Sequence, residues 1–154
     1  MPDYSQGKIY KIEPIVEHEE HEIYIGSTTQ KYLCSRFVKH KKDYLQRNLS
    51  KKASSYDLFD KYGLENCVIT LIENVNANSK EDLLQRERYY IQSMKCINKN
   101  IPLRTQKEYV EDNKEKIKEQ RREKITCECG KTICRHDLAR HKRSQYHINN
   151  VSQI

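Results

Sequence analysis

The sequence lacks long apolar runs. Of its 154 residues, 36% are hydrophobic and the mean hydropathy is −1.00, and no apolar stretch approaches the roughly 20 residues that a membrane-spanning helix needs. Residues 1–4 carry no signal-peptide pattern. We therefore expect a protein that has no membrane partner and stays inside the cell, in a compartment that the sequence leaves open.

Glycine is scarce as well, with four residues in the whole chain. Enzymes driven by nucleotides commonly hold the phosphate groups in a glycine-rich loop, because only glycine lets the backbone approach so closely. The sequence contains no such loop and no internal repeat. We expect no nucleotide cofactor.

Basic residues, in contrast, are in excess and occupy two stretches. The formal net charge is +7; residues 36–52 hold seven lysines or arginines against one acidic residue, and residues 121–147 hold eight against three. Two separated basic stretches favour a polyanionic partner, although lysine-rich faces also occur as ordinary solvated surfaces. The candidate nucleic-acid contacts are Lys39, Lys41, Lys42, Arg135, Arg140, Lys142 and Arg143.

The order of apolar segments predicts an α+β fold with a small three-stranded sheet, mixed or antiparallel, flanked by helices. Residues 7–10 and 23–26 read as two strands folded back on each other by the turn-like segment 14–20. The continuous apolar run at residues 67–73 predicts a third strand at the centre of the sheet. Helices are predicted over residues 30–47, 55–63 and 79–94.

Polar residues of distinct chemistry recur along these elements. Tyr10 and Tyr24 meet in the hairpin, and Arg36 and His40 lie one turn apart on the first helix. Glu87 falls inside the apolar stripe of the last helix, where an unpaired carboxylate is costly. It therefore needs a partner, either a metal ion or an arginine such as Arg36.

This ordered set resembles the GIY-YIG endonuclease family, in particular the stand-alone members of large DNA viruses and phages. The resemblance covers residues 3–103. One departure is visible: Lys8 stands where the family has glycine, and Gly7 is displaced by one position. The matching residues are Lys8-Ile9-Tyr10, Tyr24-Ile25-Gly26, Ser35-Arg36, Leu58-Phe59, Tyr62-Gly63, Glu87 and Asn98.

The resemblance implies a fold of the GIY-YIG type and an endonuclease that hydrolyses phosphodiester bonds in DNA with Mg²⁺ or Mn²⁺, RNA being a second candidate substrate. A rival hypothesis is an inactive nucleic-acid-binding or regulatory protein on the same scaffold. Lys8 favours the rival, as does the absence of a lysine directly after Gly26. The target, the number of strands cut and the oligomeric state stay open.

The resemblance also implies a role for each residue. Tyr10 would act as general base, Tyr24 would orient the water, and Arg36 would bind the scissile phosphate through its planar fork. His40 would assist proton transfer, Glu87 would hold a single Mg²⁺, and Asn98 would help to position the site. The competing interpretations are core-filling tyrosines, a surface histidine, a Glu87–Arg36 ion pair and an asparagine that stabilises a turn.

Residues 104–124 alternate in charge and predict a solvated helix that links two domains. Opposite charges recur at i,i+3 spacing, which supports an isolated helix by a few tenths of a kcal/mol per pair, on the order of 0.2–0.5. Its apolar content is thin, so we expect a semi-rigid spacer. The pairs are Glu111 with Lys114, Glu115 with Lys118, and Glu119 with Arg122.

The cysteines divide into scattered and clustered ones. Cys34, Cys67 and Cys96 are dispersed among apolar residues, whereas three others lie close together near the C-terminus, which indicates metal binding. Residues 125–148 resemble a C2H2 zinc finger of ββα type, although the cysteines have a single residue between them. The predicted Zn²⁺ ligands are Cys127, Cys129, His141 and His147, with Cys134 and His136 as alternatives.

Overall fold

The computed structural model of the chain describes residues 2–47 and 53–151. The fold divides into two units, Met1–Leu103 and Arg104–Ile154, which are described separately. Lys51 and Lys52, which belong to the first basic stretch of the sequence, lie outside the described residues.

Three antiparallel strands form the sheet of the first unit. They are β1 (Gly7–Pro14), β2 (Tyr24–Thr28) and β3 (Cys67–Val75), in the spatial order β2-β1-β3. In the hairpin Tyr10 lies opposite Gly26. The predicted hairpin and the α+β class with a three-stranded antiparallel sheet are therefore confirmed.

The predicted strand order is wrong, because β1 and not β3 is central. Ile9, Tyr10 and Ile12 on β1 have no exposed surface, whereas Val68 and Leu71 on β3 are 39% and 42% exposed. The apolar run of β3 suggested burial on both faces. Instead, β1 is the strand that pairs with a neighbour on both sides, although charged residues interrupt its apolar positions.

Helices cover both faces of this sheet. Tyr10 and Phe59 belong to one buried cluster, which packs under the first two helices, and Ile9 and Leu83 belong to the other, under the third helix. Neighbouring residues of β1 thus enter different cores, since side chains alternate across a strand. The helices are α1 (Leu33–Leu45), α2 (Ser54–Tyr62) and α3 (Lys80–Ser93).

Two local features set the geometry around this sheet. The Ser79 hydroxyl accepts the Asp82 N–H at 3.1 Å and begins α3, as the sequence predicts. Between β1 and β3 the register shifts, because Ile9 pairs with Glu73 and Tyr10 with Leu71. The resulting bulge lies beside Tyr10, and bulges of this kind re-aim nearby side chains.

The second unit contains helices and a two-stranded antiparallel hairpin. Within the described residues of the whole chain, no helix has the length and apolarity to cross a membrane. The elements are α4 (Gln106–Asp112), α5 (Lys114–Arg122), β4 (Lys124–Thr126), β5 (Thr132–Cys134), α6 (Leu138–Lys142) and α7 (Gln145–Val151).

The predicted continuous spacer helix is in fact two helices joined at Asn113, whose φ and ψ are −110° and 15°. Within the second unit, α5 also contacts the segment that follows β5. His136 Nδ1 lies 3.1 Å from the carbonyl oxygen of Arg121, and Arg135 Nε lies 2.7 Å from a Glu123 oxygen. This helix is therefore joined to the Cys/His segment rather than isolated in solvent.

Truncating a core ring tests the buried cluster beneath α2. Phe59 is 2% exposed, so Phe59→Ala should lower the free energy of unfolding by about 3–5 kcal/mol through lost burial and a new cavity. The matched control, Val38→Ala, alters a side chain that is 64% exposed and should cost less than about 0.5 kcal/mol. Urea unfolding followed by circular dichroism measures both; equal losses would contradict the assigned core.

Candidate functional site

The Tyr10 hydroxyl is the centre of a buried polar cluster in the first unit. His40 Nε2 lies 2.8 Å from Tyr10 Oη, and Arg36 Nε donates to the same oxygen at 3.0 Å. Arg36 and His40 are one turn apart on α1, so both side chains point at β1. Three predicted site residues are thereby brought together.

Tyr24 completes this group of rings. Its ring centroid is 6.5 Å from that of Tyr10 and 5.6 Å from that of His40. A Cβ atom on Gly26 would lie 2.6 Å from Tyr10 Oη and 3.1 Å from Tyr24 Cε1. Glycine at this position is therefore a packing requirement, because any side chain would displace the Tyr10 hydroxyl.

The two tyrosines differ in access to solvent. Tyr10 has no exposed surface, whereas Tyr24 is partly exposed. Burial raises the pKa of both phenols, and the positive charge of Arg36 opposes that rise. Tyr24 as a residue therefore has more contact with solvent than Tyr10.

His40 is buried and neutral. It is 8% exposed, and the hydroxyl oxygen of the buried Ser55 lies 3.5 Å from its Nδ1. Burial, together with the Arg36 charge, lowers the pKa of His40 to about 4. Because the side chain is buried, the surface-histidine interpretation is wrong.

Glu87 reaches the same region from α3. Its carboxylate accepts a hydrogen bond from the Ser27 hydroxyl. Burial raises the pKa of Glu87, with Arg36 acting against it, and the Glu87 charge in turn raises the pKa of both Tyr10 and Tyr24. The acid therefore shares one electrostatic environment with the tyrosines and the arginine.

Asn98 lies at the outer edge of β2. Its Oδ1 accepts the Ile25 N–H and its Nδ2 donates to the Ile25 carbonyl, both at 2.8 Å. The amide thus pairs with the strand as a neighbouring strand would. Asn98 thus holds β2, the strand that carries Tyr24, rather than a turn.

The candidate nucleic-acid-binding side chains differ in whether they already contact other groups of the protein. On α1, Lys39 and Lys42 are exposed, and Lys41 Nζ lies 4.5 Å from the Phe37 ring centroid. In the second unit three of the candidate cations face acidic neighbours. These pairs are Arg135–Glu123 at 2.7 Å, Arg140–Asp137 at 2.5 Å and Lys142–Glu128 at 3.5 Å, and Arg143 Nε donates to the Ala139 carbonyl at 3.2 Å.

The four predicted metal ligands of the second unit converge. One ligand atom from each of Cys127, Cys129, His141 and His147 lies within 4.8 Å of the others. Cys127 Sγ is 3.4 Å from His147 Nδ1, and Cys129 Sγ is 3.1 Å from His141 Nε2. Two sulfurs and two imidazole nitrogens are the kind of donor set that Zn²⁺ takes in structural sites.

A tight turn makes the short cysteine spacing workable. The Gly130 N–H donates to the Cys127 carbonyl at 2.8 Å, and Gly130 has φ of +82°, a conformation that favours glycine. The Cys127 N–H donates to the Lys131 carbonyl at 3.0 Å. Within the turn, Glu128 Oε1 lies 3.4 Å from His147 Nε2, while His147 Nδ1 faces the Cys127 sulfur.

The alternative ligands Cys134 and His136 belong to a separate group with Asp137. His136 Nε2 lies 3.4 Å from a carboxylate oxygen of Asp137. Because β5 carries Cys134 away from the turn, neither alternative replaces a member of the four-residue cluster.

Three contributors were absent from the sequence interpretation: Ser27 at Glu87, Ser55 beneath His40 and Glu128 beside His147. Ser27 carries a usable signal, because it directly follows Tyr24-Ile25-Gly26 on the same strand. Ser55 carries none, since its contact joins α2 to α1.

The chain was compared with protein-family models, curated proteins and solved structures, and no match was found in any of the three comparisons.

Metal content tests the Cys/His cluster. We expect one zinc per chain, and Cys127→Ser should abolish it because a thiolate ligand is lost. Cys34→Ser, at an exposed thiol, and Cys134→Ser should both retain one zinc. Native mass spectrometry after dialysis measures the stoichiometry; full zinc retention in Cys127→Ser would contradict the assigned ligands.

Acid sensitivity tests the burial of His40. Its pKa falls from 6.5 to about 4 on folding, so the unfolded state binds the extra proton between these values. The resulting stability is complete above pH 6.5 and is lost as the pH falls towards 4, a change on the order of 3 kcal/mol. The urea midpoint of the wild type should therefore fall more steeply over this range than that of His40→Gln. If the midpoints of the two proteins fall in parallel with pH, the burial of a neutral His40 is contradicted.

Proposed function

We propose that the chain is a metal-dependent endonuclease of the GIY-YIG type that hydrolyses phosphodiester bonds in DNA. The observation that carries the proposal is the buried Tyr10 hydroxyl held between His40 and Arg36, with Tyr24 and Glu87 in the same environment. A purely structural core has little use for this combination of a neutral histidine, an arginine and a half-buried acid.

Arg36 is the proposed phosphate-binding group. Its Nε–H is used by Tyr10, and its terminal nitrogens carry the donors that match two phosphate oxygens. The link to Tyr10 restricts the guanidinium before substrate arrives, so less side-chain freedom is lost when the phosphate binds.

Proton transfer is assigned to the tyrosine and histidine cluster. Water attacks the phosphorus and the bond to one sugar oxygen breaks; the partly exposed Tyr24 orients this water. The released proton is taken up at the Tyr10–His40 pair, where neutral Nε2 of His40 is the acceptor. The departing sugar oxygen receives a proton from solvent.

Glu87 is the proposed ligand of Mg²⁺ or Mn²⁺. A carboxylate has about four lone-pair positions, and the Ser27 hydroxyl occupies one of them, which leaves room for one cation. Such a cation, with water filling its other positions, would stabilise charge on the phosphate in the transition state.

The second unit is proposed to act as a zinc finger that binds nucleic acid. Arg140, Lys142 and Arg143 are exposed, and the ion pairs of Arg140 with Asp137 and of Lys142 with Glu128 are of the surface type, which contribute about 0–1 kcal/mol each. Phosphate groups can therefore replace the acidic partners. Binding of this kind weakens as salt rises.

A second candidate function is a binding protein with an inactive site. The observation that favours it is the complete burial of Tyr10, which keeps water from the phenol in this conformation. Lys8, in the place of a family glycine, points the same way.

Removal of single hydroxyls separates the two functions. In plasmid nicking with Mg²⁺, Tyr24→Phe and Tyr10→Phe should each lower the rate by about 10²–10⁴-fold, because proton transfer loses a positioned group. The matched control, Tyr32→Phe, alters a tyrosine that is 57% exposed and should nick at the wild-type rate. EDTA should stop nicking by all variants.

DNA binding is followed in parallel by gel shift in a buffer that lacks Mg²⁺ but contains no chelator, so that the zinc stays bound; all four proteins should bind alike. A wild-type chain that shifts DNA in a salt-dependent manner but never nicks it would overturn the enzyme and leave the binding protein.

A further inference from the structure

Strand β2 is at the edge of its sheet, since the order is β2-β1-β3. Backbone groups of alternate residues on an edge strand point away from the sheet and need other partners. On β2 and the residue before it these partners come from the polypeptide after β3. The Ile23 carbonyl accepts the Ile97 N–H at 2.9 Å, and Ile25 pairs with the Asn98 amide.

Ser27 is the next residue in this alternation, and its hydroxyl donates to the Glu87 carboxylate. The contact joins β2 to α3 over a separation of sixty residues in sequence.

The helix that carries Glu87 is anchored on the same side. Leu83 and Ile91, one turn before and one turn after Glu87, are 4% and 8% exposed and pack into the core under α3. Positions four apart share a helix face. The backbone of Glu87 is thus fixed by packing, and the remaining freedom lies in the rotation of its side chain.

We propose that Ser27 is the positioning residue of Glu87, holding one side of the carboxylate on the edge of β2 so that the other side is presented to a divalent cation. The inference rests on the proposed function, because it assigns the cation to Glu87. Ser27 itself does not contact the metal or the substrate in this account.

The physical reason lies in the cost of ordering a glutamate. A long side chain loses rotamer entropy when it is fixed. The Ser27 hydroxyl fixes the Glu87 side chain during folding, so that loss is not repeated when the cation binds. Hydrogen bonds to ligating carboxylates change metal affinity by about 10–100-fold when they are removed.

A different role for Ser27 would be to satisfy a half-buried carboxylate without any effect on a cation. The two roles diverge in measurement. If Ser27 only satisfies the buried carboxylate, its removal changes the stability of the fold alone. If Ser27 positions the carboxylate, its removal also changes the affinity for the metal ion.

The test is a Mn²⁺ titration of the zinc-loaded full chain by electron paramagnetic resonance. Ser27→Ala should weaken Mn²⁺ binding by about 10–100-fold, and Ser27→Thr, which keeps a hydroxyl and suits a strand, should restore it to within about threefold. Ser93→Ala, at an exposed serine near the end of α3, should bind as the wild type does. Glu87→Gln should abolish this binding.

Nicking is measured on the same proteins. Ser27→Ala should raise the Mg²⁺ concentration for half-maximal nicking by the same factor, with a smaller loss of rate at saturating Mg²⁺. Wild-type Mn²⁺ affinity in folded Ser27→Ala would overturn the inference, as would a wild-type chain that binds no Mn²⁺ through Glu87. A chain that binds Mn²⁺ as described but nicks no DNA would overturn the nuclease proposal and support the role of Ser27.

Discussion

The first unit depends on one buried hydroxyl. Tyr10 Oη joins the central strand to α1 through His40 and Arg36. The contacts that close the core therefore also hold the two side chains to which we assign proton uptake and phosphate binding. A buried polar network of this kind is costly when any member is unpaired. The constraint extends to Gly26, because a side chain there would strike the hydroxyl. Fold and proposed chemistry thus share the same atoms.

A second constraint is the open edge of β2. Edge strands need partners for their outward backbone groups, and here the Asn98 amide serves Ile25 in place of another strand. Further along β2, the Ser27 hydroxyl donates to the Glu87 carboxylate. This arrangement gives Asn98 a structural task and brings Glu87 over the edge towards the tyrosine face. Since α3 packs on the opposite face from α1, the edge is the route by which its acid enters the site.

The sequence predicts local features well and contacts between distant segments poorly. The hairpin, the Ser79 cap and the four clustered Cys and His residues follow from spacing that acts over one turn or one short module. The central position of β1, the edge pairing of Asn98 and the break at Asn113 do not, because each depends on which distant segment packs alongside. Apolar composition marked β3 as central, yet ladder pairing on both sides decides that position. The burial of Tyr10 likewise depends on α1, far along the chain.

The central claim is that Arg36, Tyr24 and Glu87 surround a scissile phosphate. A crystal structure of the Glu87→Gln variant with a short DNA duplex tests it most directly, because slowed cleavage preserves the substrate. The account predicts a backbone phosphate within hydrogen-bond distance of the Arg36 terminal nitrogens, with a water between that phosphate and the Tyr24 hydroxyl. DNA bound through the Cys/His unit alone, with no phosphate at Arg36, would contradict it.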